Sequence, residues 1–282
     1  MQKKQLKAGL IGHPLSRSLS REVFEVFAGL IGVDIDYSPV DCAPEDLARL
    51  VPSLKADGWA GFNVTIPYKR AVCSMLDLAD PAAKCCGAVN AVRFGRAGLE
   101  GLNTDARALL QAVEEAGFET RGKKAVIFGS GGSAASSGWA LGRSATASVT
   151  FRARNRTAAE ELVSRLSEAF PATLYGWAPF ETPQDSPDIL VNATPLGMYG
   201  PGRPPAAPAR GSLCADLAYA PGGTEFTAAA GAAGALVMDG IGLLVRQAAL
   251  SLRFWSGLPS GDIVEFSRKA EKLFREGLQR EG

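Results

Sequence analysis

Three polar clusters interrupt the apolar pattern of the first 105 residues, and their side chains can bind hydroxyl groups and exchange protons. They are Asn63-Val-Thr-Ile-Pro-Tyr-Lys69, Gly87-Ala-Val-Asn90 and Gly101-Leu-Asn-Thr-Asp105. Each lies at the end of a short apolar segment, and an open α/β sheet collects its ligands at such strand ends. A lysine that faces a carboxylate there can donate a proton to a ketone that receives a hydride, which makes Lys69 and Asp105 candidate acid–base residues. Taken singly, Lys69 is more typical of a surface cation and Asp105 of a helix N-cap, and only the whole pattern favours the catalytic interpretation.

A glycine-rich turn further along the chain indicates a nucleotide site. The segment Gly129-Ser-Gly-Gly-Ser-Ala134 follows the apolar run Ala125–Phe128 and precedes a run of small residues typical of a helix. Glycines in this pattern permit the tight turn and let the backbone approach a pyrophosphate, and the helix N-terminus supplies N–H groups to the phosphates. A turn in an unrelated α/β protein, or an S-adenosylmethionine site, stays open as an alternative. The candidate contacts are Gly129, Ser130, Gly131, Gly132 and Ser133.

The end of the next strand distinguishes between the two nicotinamide dinucleotides. An NAD site places a carboxylate there for the ribose 2′-hydroxyl. This chain reads Arg152-Ala-Arg-Asn-Arg-Thr157 and has no acidic residue before Glu160. Guanidinium groups bind a 2′-phosphate through paired hydrogen bonds, so the pattern predicts NADP. A solvated basic loop is the alternative, but it would not explain the missing acid. The candidate contacts are Arg154, Asn155, Arg156 and Thr157.

The elements around these residues predict two α/β domains, because apolar strands alternate with amphipathic helices as in a parallel, doubly wound sheet. Within the first domain we expect helical residues after Ile66-Pro67 through about Leu78, and a strand at Ala88–Arg93. The tail after about Gly240 is helical and has no strand of its own, so it is expected to return to the first domain and leave a cleft between the lobes. The expected boundaries are 1–104 with 241–282 for a substrate-binding domain, and 105–240 for a Rossmann-type, NADP-binding domain.

Composition favours a small-molecule partner. The chain has 282 residues, 46% hydrophobic and 21% charged, with a formal net charge of +1. Nucleic-acid and membrane-surface proteins normally carry a larger basic excess, so neither partner is expected. One histidine and five cysteines without C-x-x-C spacing provide no zinc ligand set, and the cysteines are typical of a reducing, cytoplasmic compartment. The sequence leaves monomer and homodimer both open.

The chain resembles the shikimate dehydrogenase family over nearly its full length. Each matching segment is ordinary alone, but their common order is specific. The matching segments are Ser18-Leu-Ser20, the three polar clusters, the Gly129 turn, Asn155-Arg-Thr157, Asn192-Ala-Thr194, Gly197-Met198, Asp216-Leu-Ala-Tyr219, Gly240 and Gln247.

This resemblance implies an activity and a set of roles. In the family, NADPH reduces 3-dehydroshikimate to shikimate without a metal, as a step of chorismate and aromatic amino acid biosynthesis. Lys69 would be the general acid and base, with Asp105 as its partner. The resemblance further implies that the substrate carboxylate is bound by Ser18, Ser20 and Tyr219, and the ring hydroxyls by Thr65, Asn90, Asp105 and Gln247. It implies that NADP is bound by Gly129–Ser133 and Arg154–Thr157. The far end of the cofactor would lie near Thr194, Leu217 and Gly240.

Several departures from the family pattern bear on the substrate. Arg17 and Arg21 stand where the family has histidine and proline around its two serines, and Leu243 replaces a methionine expected near the nicotinamide. The further differences are Ala91, Ala106, Ala108 and Pro195. A related ring acid such as quinate or aminoshikimate, with NAD or NADP, therefore stays open, as does a catalytically silent NADP-binding sensor.

The single histidine and one pair of aromatic residues have no role that the family resemblance implies. His13 lies in a Gly-His-Pro turn and is interpreted as a loop residue. The neighbouring Phe254 and Trp255 are interpreted as core packing and not as a platform for stacking bases.

Overall fold

A computed structural model describes residues 5–15, 18–182, 187–257 and 263–281. These residues form two compact units, one of residues up to 104 together with those from 244 onward, and the other of residues 105–243. None of the helices in the described part of the chain is both long and apolar enough to cross a membrane. The assignment of substrate binding to one unit and of cofactor binding to the other stays a prediction.

The first unit is built on a six-stranded mixed sheet in the order β2-β1-β3-β5-β6-β4. Strand β1 runs parallel to β2 and β3, whereas β5 runs antiparallel to β3 and β6. The strands are β1 (Gln5–Gly12), β2 (Asp34–Asp41), β3 (Gly61–Val64), β4 (Leu78–Ala79), β5 (Ala91–Gly95) and β6 (Gly98–Leu102). The helices are α1 (Ser20–Ile31), α2 (Leu47–Ala56, after a 3-10 turn at Pro44–Asp46), α3 (Lys69–Cys73), α4 (Pro81–Cys86) and, at the C-terminus, α10 (Ile263–Glu281).

The predicted helix to Leu78 is wrong, because α3 ends at Cys73 and Leu78 begins β4. The backbone N–H of Asp77 donates to the carbonyl of Leu99 at 2.9 Å, which draws the chain onto β6. This contact spans more than twenty residues, and a local pattern does not reveal it. The strand predicted at Ala88 begins three residues later, at Ala91.

Aromatic side chains attach the C-terminal helices to the first unit. Trp255 stacks on Phe24 with ring centroids 5.5 Å apart, and its indole N–H donates to the carbonyl of Val92 at 2.8 Å. Phe266 of α10 stacks on Phe27 of α1 at 5.0 Å. Each aromatic pair stabilises the fold by about 0.5–1.5 kcal/mol beyond its buried area. The predicted return of the helical tail to the first domain is confirmed.

The second unit contains a six-stranded sheet in which every strand is parallel, in the order β9-β8-β7-β10-β11-β12. This is the strand order of a dinucleotide-binding, Rossmann-type sheet. All residues of β10 and β11 are buried, as expected for a sheet covered on both faces. The strands are β7 (Lys124–Phe128), β8 (Ser148–Ala153), β9 (Leu174–Pro179), β10 (Ile189–Asn192), β11 (Leu213–Asp216) and β12 (Leu236–Met238). The helices are α5 (Thr104–Glu115), α6 (Gly132–Arg143), α7 (Arg156–Ala169), α8 (Glu225–Ala232) and α9 (Gly240–Ser256), the last of which continues into the first unit.

Candidate active site

Thr65 and Lys69 lie where β1 and β3 of the first unit end. The N–H of Thr65 donates to the carbonyl of Ile11 at 2.9 Å. A Cβ on Gly12 would lie 2.4 Å from Cγ2 of Thr65, so a larger residue than glycine at position 12 would displace Thr65. Lys69 is the first residue of α3, and its carbonyl accepts from the N–H of Val89 at 3.0 Å. Both predicted site residues therefore lie at one edge of the mixed sheet.

Asn90 connects that edge to the start of α5. Its Nδ2 donates to Oγ1 of Thr104 at 2.7 Å, and its Oδ1 accepts from the N–H of Thr104 at 2.6 Å. Its own carbonyl accepts from the N–H of Val64 at 3.0 Å. Asp105, the residue after Thr104, is buried. The structure thus brings Thr65, Lys69 and Asn90 together with the residue that precedes Asp105.

Asn63 is a partly buried link for which the sequence had suggested no role. Its Oδ1 accepts from the hydroxyl of Tyr37 at 3.0 Å, and its Nδ2 donates to the carbonyl of Asn90 at 2.9 Å and to the hydroxyl of Ser251 at 2.8 Å. Ser251 in turn donates to the carbonyl of Gln247 at 2.9 Å. Asn63 therefore links the Asn90 segment to α9, which carries Gln247. The signal in the sequence was a polar residue inside a short apolar strand.

Ser18 and Ser20 are located at the start of α1. Ser20 is its first residue, and its N–H donates to the hydroxyl oxygen of Ser18 at 3.2 Å. Arg21 forms an exposed ion pair with Glu25, with Nε and Oε1 3.1 Å apart. Arg17, the other predicted departure, lies outside the described residues. Both serines therefore lie at the start of α1.

His13 has a contact that the sequence did not indicate. Its Nδ1 lies 2.6 Å from Oδ1 of Asp41, and Oδ2 of Asp41 accepts from the N–H of Leu15 at 3.0 Å. The hydrogen bond from His13 lowers the pKa of Asp41, and that from Leu15 lowers it further. His13 is thus an exposed loop residue that holds its turn against the end of β2.

The glycine turn of the second unit has the geometry of a phosphate cradle. Gly129 has a φ of +117°, which favours glycine, and a Cβ there would lie 2.9 Å from the carbonyl oxygen of Ala193. Gly131 precedes α6 in extended conformation without a side-chain cap, and a Cβ on it would meet no atom within 4 Å. The first N–H groups of a helix have no partner inside it, so α6 begins at an open space with donors suited to a pyrophosphate.

The residues after β8 make different contacts, which bear on which of them can bind a phosphate. Asn155 caps α7, and its Oδ1 accepts from the N–H of Ala158 at 3.0 Å. Nε of Arg156 donates to Oε1 of Glu160 at 2.7 Å, and its guanidinium lies 5.4 Å from the ring centroid of Trp177. Glu160, notable in the sequence only for its distance from the strand, therefore pairs with Arg156. Because Arg156 already has an anionic partner, Arg154 is the better candidate for a 2′-phosphate.

The residues predicted for the far end of the cofactor gather at the carboxyl edge of the parallel sheet. The N–H and hydroxyl of Thr194 donate to Oδ1 of Asn192 at 3.1 and 2.6 Å. The N–H of Leu217 donates to the carbonyl of Asn192 at 2.9 Å. A Cβ on Gly240 would lie 2.3 Å from the carbonyl oxygen of Ala218 and 2.9 Å from Cβ of Tyr219. Within the described residues, no three His, Cys, Asp or Glu side chains cluster to hold a metal ion.

Sequence comparisons assign the chain to a family. A model of the shikimate dehydrogenase substrate binding domain matches residues 10–92. A shikimate dehydrogenase (NADP(+)) of Anaeromyxobacter dehalogenans is 37% identical over 276 residues, which cover 96% of this chain and 97% of the relative. The chain belongs to the shikimate dehydrogenase family.

Solved structures related to this shikimate dehydrogenase family member share its fold. A shikimate dehydrogenase in complex with NADP+ has a TM-score of 0.83 at 29% identity, covering 95% of this chain and 94% of that chain. The Thermus thermophilus enzyme in complex with shikimate has a TM-score of 0.81 at 29% identity, covering 97% and 99%. The 5-ketofructose reductase of a Gluconobacter species has a TM-score of 0.82 at 28% identity, covering 96% and 99%. The same fold is therefore found in proteins named for different substrates.

Proposed function

We propose that the protein is an NADP-dependent shikimate dehydrogenase, which catalyses reversible hydride transfer between NADPH and 3-dehydroshikimate to give shikimate. Relatives named shikimate dehydrogenase (NADP(+)) that match nearly the whole chain support the reaction and the cofactor. The observation that carries the proposal is the grouping of Thr65, Lys69 and Asn90 at the end of β3, next to the start of α5.

Lys69 and Asp105 are the proposed acid–base pair. NADPH, when bound, supplies the hydride. The ammonium of Lys69 donates a proton to the ketone oxygen, and in the reverse direction its amine accepts the proton of the hydroxyl. The carboxylate of Asp105 orients that ammonium through a charge-assisted hydrogen bond.

Asn90, Thr65 and Gln247 are proposed to bind the ring hydroxyls. The amide of Asn90 bonds to Thr104 through both its nitrogen and its oxygen, which fixes the plane of the amide. An amide carries both donors and acceptors, so an amide held in this plane can recognise a ring hydroxyl by its direction. A pocket built in this way rejects an analogue that lacks a hydroxyl by about 10⁴-fold. Ser18, Ser20 and Tyr219 are proposed to bind the substrate carboxylate.

The cofactor is proposed to bind along the carboxyl edge of the parallel sheet. The open start of α6, with Gly129–Ser133, suits the pyrophosphate, and Arg154 suits the 2′-phosphate, with Asn155, Arg156 and Thr157 beside it. Thr194, Leu217 and Gly240 would then border the nicotinamide end. We also infer a cytoplasmic location and small-molecule partners only, from the near-neutral net charge and the free cysteines.

The decisive experiment is an assay of shikimate oxidation with NADP+ in the wild type and in Lys69→Ala. We expect the variant to lose about 10²- to 10⁴-fold in kcat, the range for general acid–base catalysis. Lys84→Ala is the matched control, because Lys84 is an exposed lysine of α4 in the same unit, and it should keep wild-type turnover. Near-normal turnover in Lys69→Ala would remove Lys69 from the mechanism.

A second candidate is a reductase of another polyhydroxylated ketone, such as the quinate counterpart. It is favoured by the likeness to 5-ketofructose reductase, which covers nearly the whole chain. A panel of ring acids and ketoses assayed with NADPH and NADH separates the two candidates through kcat/KM. Dinucleotide binding without turnover on any member would instead indicate a sensor.

A further inference from the structure

Two buried polar side chains end neighbouring strands of the parallel sheet. Asn192 is the last residue of β10 and Asp216 the last of β11, and the two are register partners. Neither is exposed to solvent. Nδ2 of Asn192 donates to Oδ1 of Asp216 at 2.8 Å. Burying an amide and a carboxylate is costly unless their polar atoms form hydrogen bonds. Their hydrogen-bond partners therefore show which segments this buried pair holds in place.

Asn192 links Asp216 to the turn that carries Thr194 through hydrogen bonds on both sides of its amide. A carboxylate only accepts hydrogen bonds, so the NH2 of Asn192 must face Asp216 and its carbonyl oxygen must face away. That oxygen accepts both bonds from Thr194, and Nδ2 also donates to the carbonyl of Leu196 at 3.2 Å. The amide therefore holds this turn in one arrangement.

Asp216 also holds the turn after β11 and the start of α8. Its Oδ1 accepts from the N–H of Ala218 at 3.0 Å, and its Oδ2 accepts from the hydroxyl of Thr224. Thr224 caps α8, since its Oγ1 accepts from the N–H of Thr227 at 3.1 Å. One carboxylate thus connects two turns and a helix at the edge where Gly129 and Gly240 also lie.

The charge of Asp216 is sensitive to pH. Burial raises the pKa of Asp216 to about 6, although the hydrogen bonds from Thr224, Ala218 and Asn192 lower it; the negative charge of Asp239 raises it further. Asn192 and Thr224, which contact it from β10 and α8, are uncharged. The strands beyond, β7 and β12, end in the apolar residues Phe128 and Met238.

We propose that Asp216, acting directly and through Asn192, is a positioning residue for the turns that carry Thr194, Leu217 and Tyr219, and that its ionised form is the one that holds them ready for the dinucleotide. The inference rests on the proposed function, which places the nicotinamide end of NADP at these turns. Protonation weakens the bonds that Oδ1 accepts, because charge-assisted hydrogen bonds are about twice as strong as neutral ones. A proton on Oδ2 also forces the hydroxyl of Thr224 to turn away.

The test is a fluorescence titration of the wild type and of Asp216→Asn with NADPH between pH 5 and pH 8. The variant keeps the shape of the side chain and cannot ionise. We expect it to bind about tenfold more weakly at pH 8, the loss of roughly one bond to a charged group, and equally well at pH 5. The 2′-phosphate of NADPH titrates in the same range, but it does so for both proteins and cancels in the ratio of Kd values. A ratio that stays constant with pH, or equals one at pH 8, overturns the proposal.

Matched variants separate positioning from a general loss of structure. Asp188→Asn removes a carboxylate next to the opposite end of β10, and it should bind NADPH within twofold of the wild type at every pH. Thr224→Val removes one donor to Asp216 and should bind more weakly at pH 8, whereas Thr224→Ser restores the hydroxyl and should recover affinity. Equal weakening in Thr224→Ser and Thr224→Val would contradict the role of the hydroxyl.

The titration needs no ketone substrate, so it is independent of the substrate assay. If the wild type binds NADPH but does not oxidise shikimate, the substrate assignment fails and the role of Asp216 is still decided by the Kd ratio. A wild type that binds neither NADPH nor NADH overturns both proposals.

Discussion

Two aspartates at opposite ends of neighbouring strands in the parallel sheet have pKa values shifted in opposite directions. Asp188 precedes β10, and its side chain is 38% exposed; it accepts from the ammonium of Lys123 at 3.2 Å and from the N–H of Lys124 at 2.9 Å. These partners lower its pKa. Asp216 ends β11 and is fully buried, and burial raises its pKa to about 6. Ionised Asp188 therefore stabilises the fold at neutral pH, whereas ionised Asp216 destabilises it.

This difference distinguishes a structural end of the strands from the end that carries the turns proposed to bind the dinucleotide. A buried charge that costs stability persists where function requires it, and ligands of an open α/β sheet bind at the carboxyl ends of its strands. Asp216 lies at that end and Asp188 at the other. The comparison predicts that substitutions at the two edges change stability and NADPH binding separately.

The largest effect is expected from Asn192→Asp, which would place a second carboxylate beside Asp216. Two buried carboxylates at hydrogen-bond distance cannot both ionise, so one must take up a proton. We expect the free energy of unfolding at pH 8 to fall by about 3–5 kcal/mol, the usual cost of an uncompensated buried charge, and to recover partly at pH 5. Urea unfolding at both pH values measures this. A variant as stable as the wild type at pH 8 would show that solvent reaches this edge.

A smaller change in the free energy of unfolding at pH 8, and one of opposite sign, is expected for Asp216→Asn. The folded pKa of Asp216, about 6, lies above its ordinary value of 3.8, so the folded chain binds more protons between these pH values. The contribution of Asp216 to stability therefore decreases as pH rises from about 4 to 7, and the variant lacks this decrease. The stability of the variant minus that of the wild type should rise by about 2 kcal/mol from pH 4 to pH 8. A difference that does not change with pH would contradict the buried charge.

The sequence predicted local features well and distant pairing poorly. The glycine turn at Gly129 and the arginines after β8 were recognisable, because each depends on a few consecutive residues between a strand and a helix. Asn192 and Asp216 appeared only as members of two family segments. Their pairing joins residues 24 apart in sequence, and nothing in either segment indicates it.

Short or exposed strands were missed for a related reason. Strand β12 has only three residues, and β9 lacks the buried apolar run that marks β10, with Leu174 75% exposed at its start. These strands form because β8 and β11 offer them backbone partners. Family resemblance, in contrast, identified Lys69, Asn90 and Asp105 as site candidates, although the bonds that hold Asn90 to Thr104 appear only in the structure.

The smallest effect is expected for Asp188→Asn. Because the pKa of Asp188 lies below 3.8, its stabilising contribution is present above about pH 4 and is lost as pH falls through the lowered pKa. The side chain and that of Lys123 are both more than a third exposed, so solvent screening limits the contribution to about 0.5–1 kcal/mol. Urea unfolding at pH 7 should detect a loss of this size, which shrinks at high salt because the ion pair is screened. A loss above about 2 kcal/mol would contradict the screening of this ion pair. Weaker NADPH binding would mean that this end of the strands also positions the turns proposed to bind the dinucleotide, and the contrast with Asp216 would then fail.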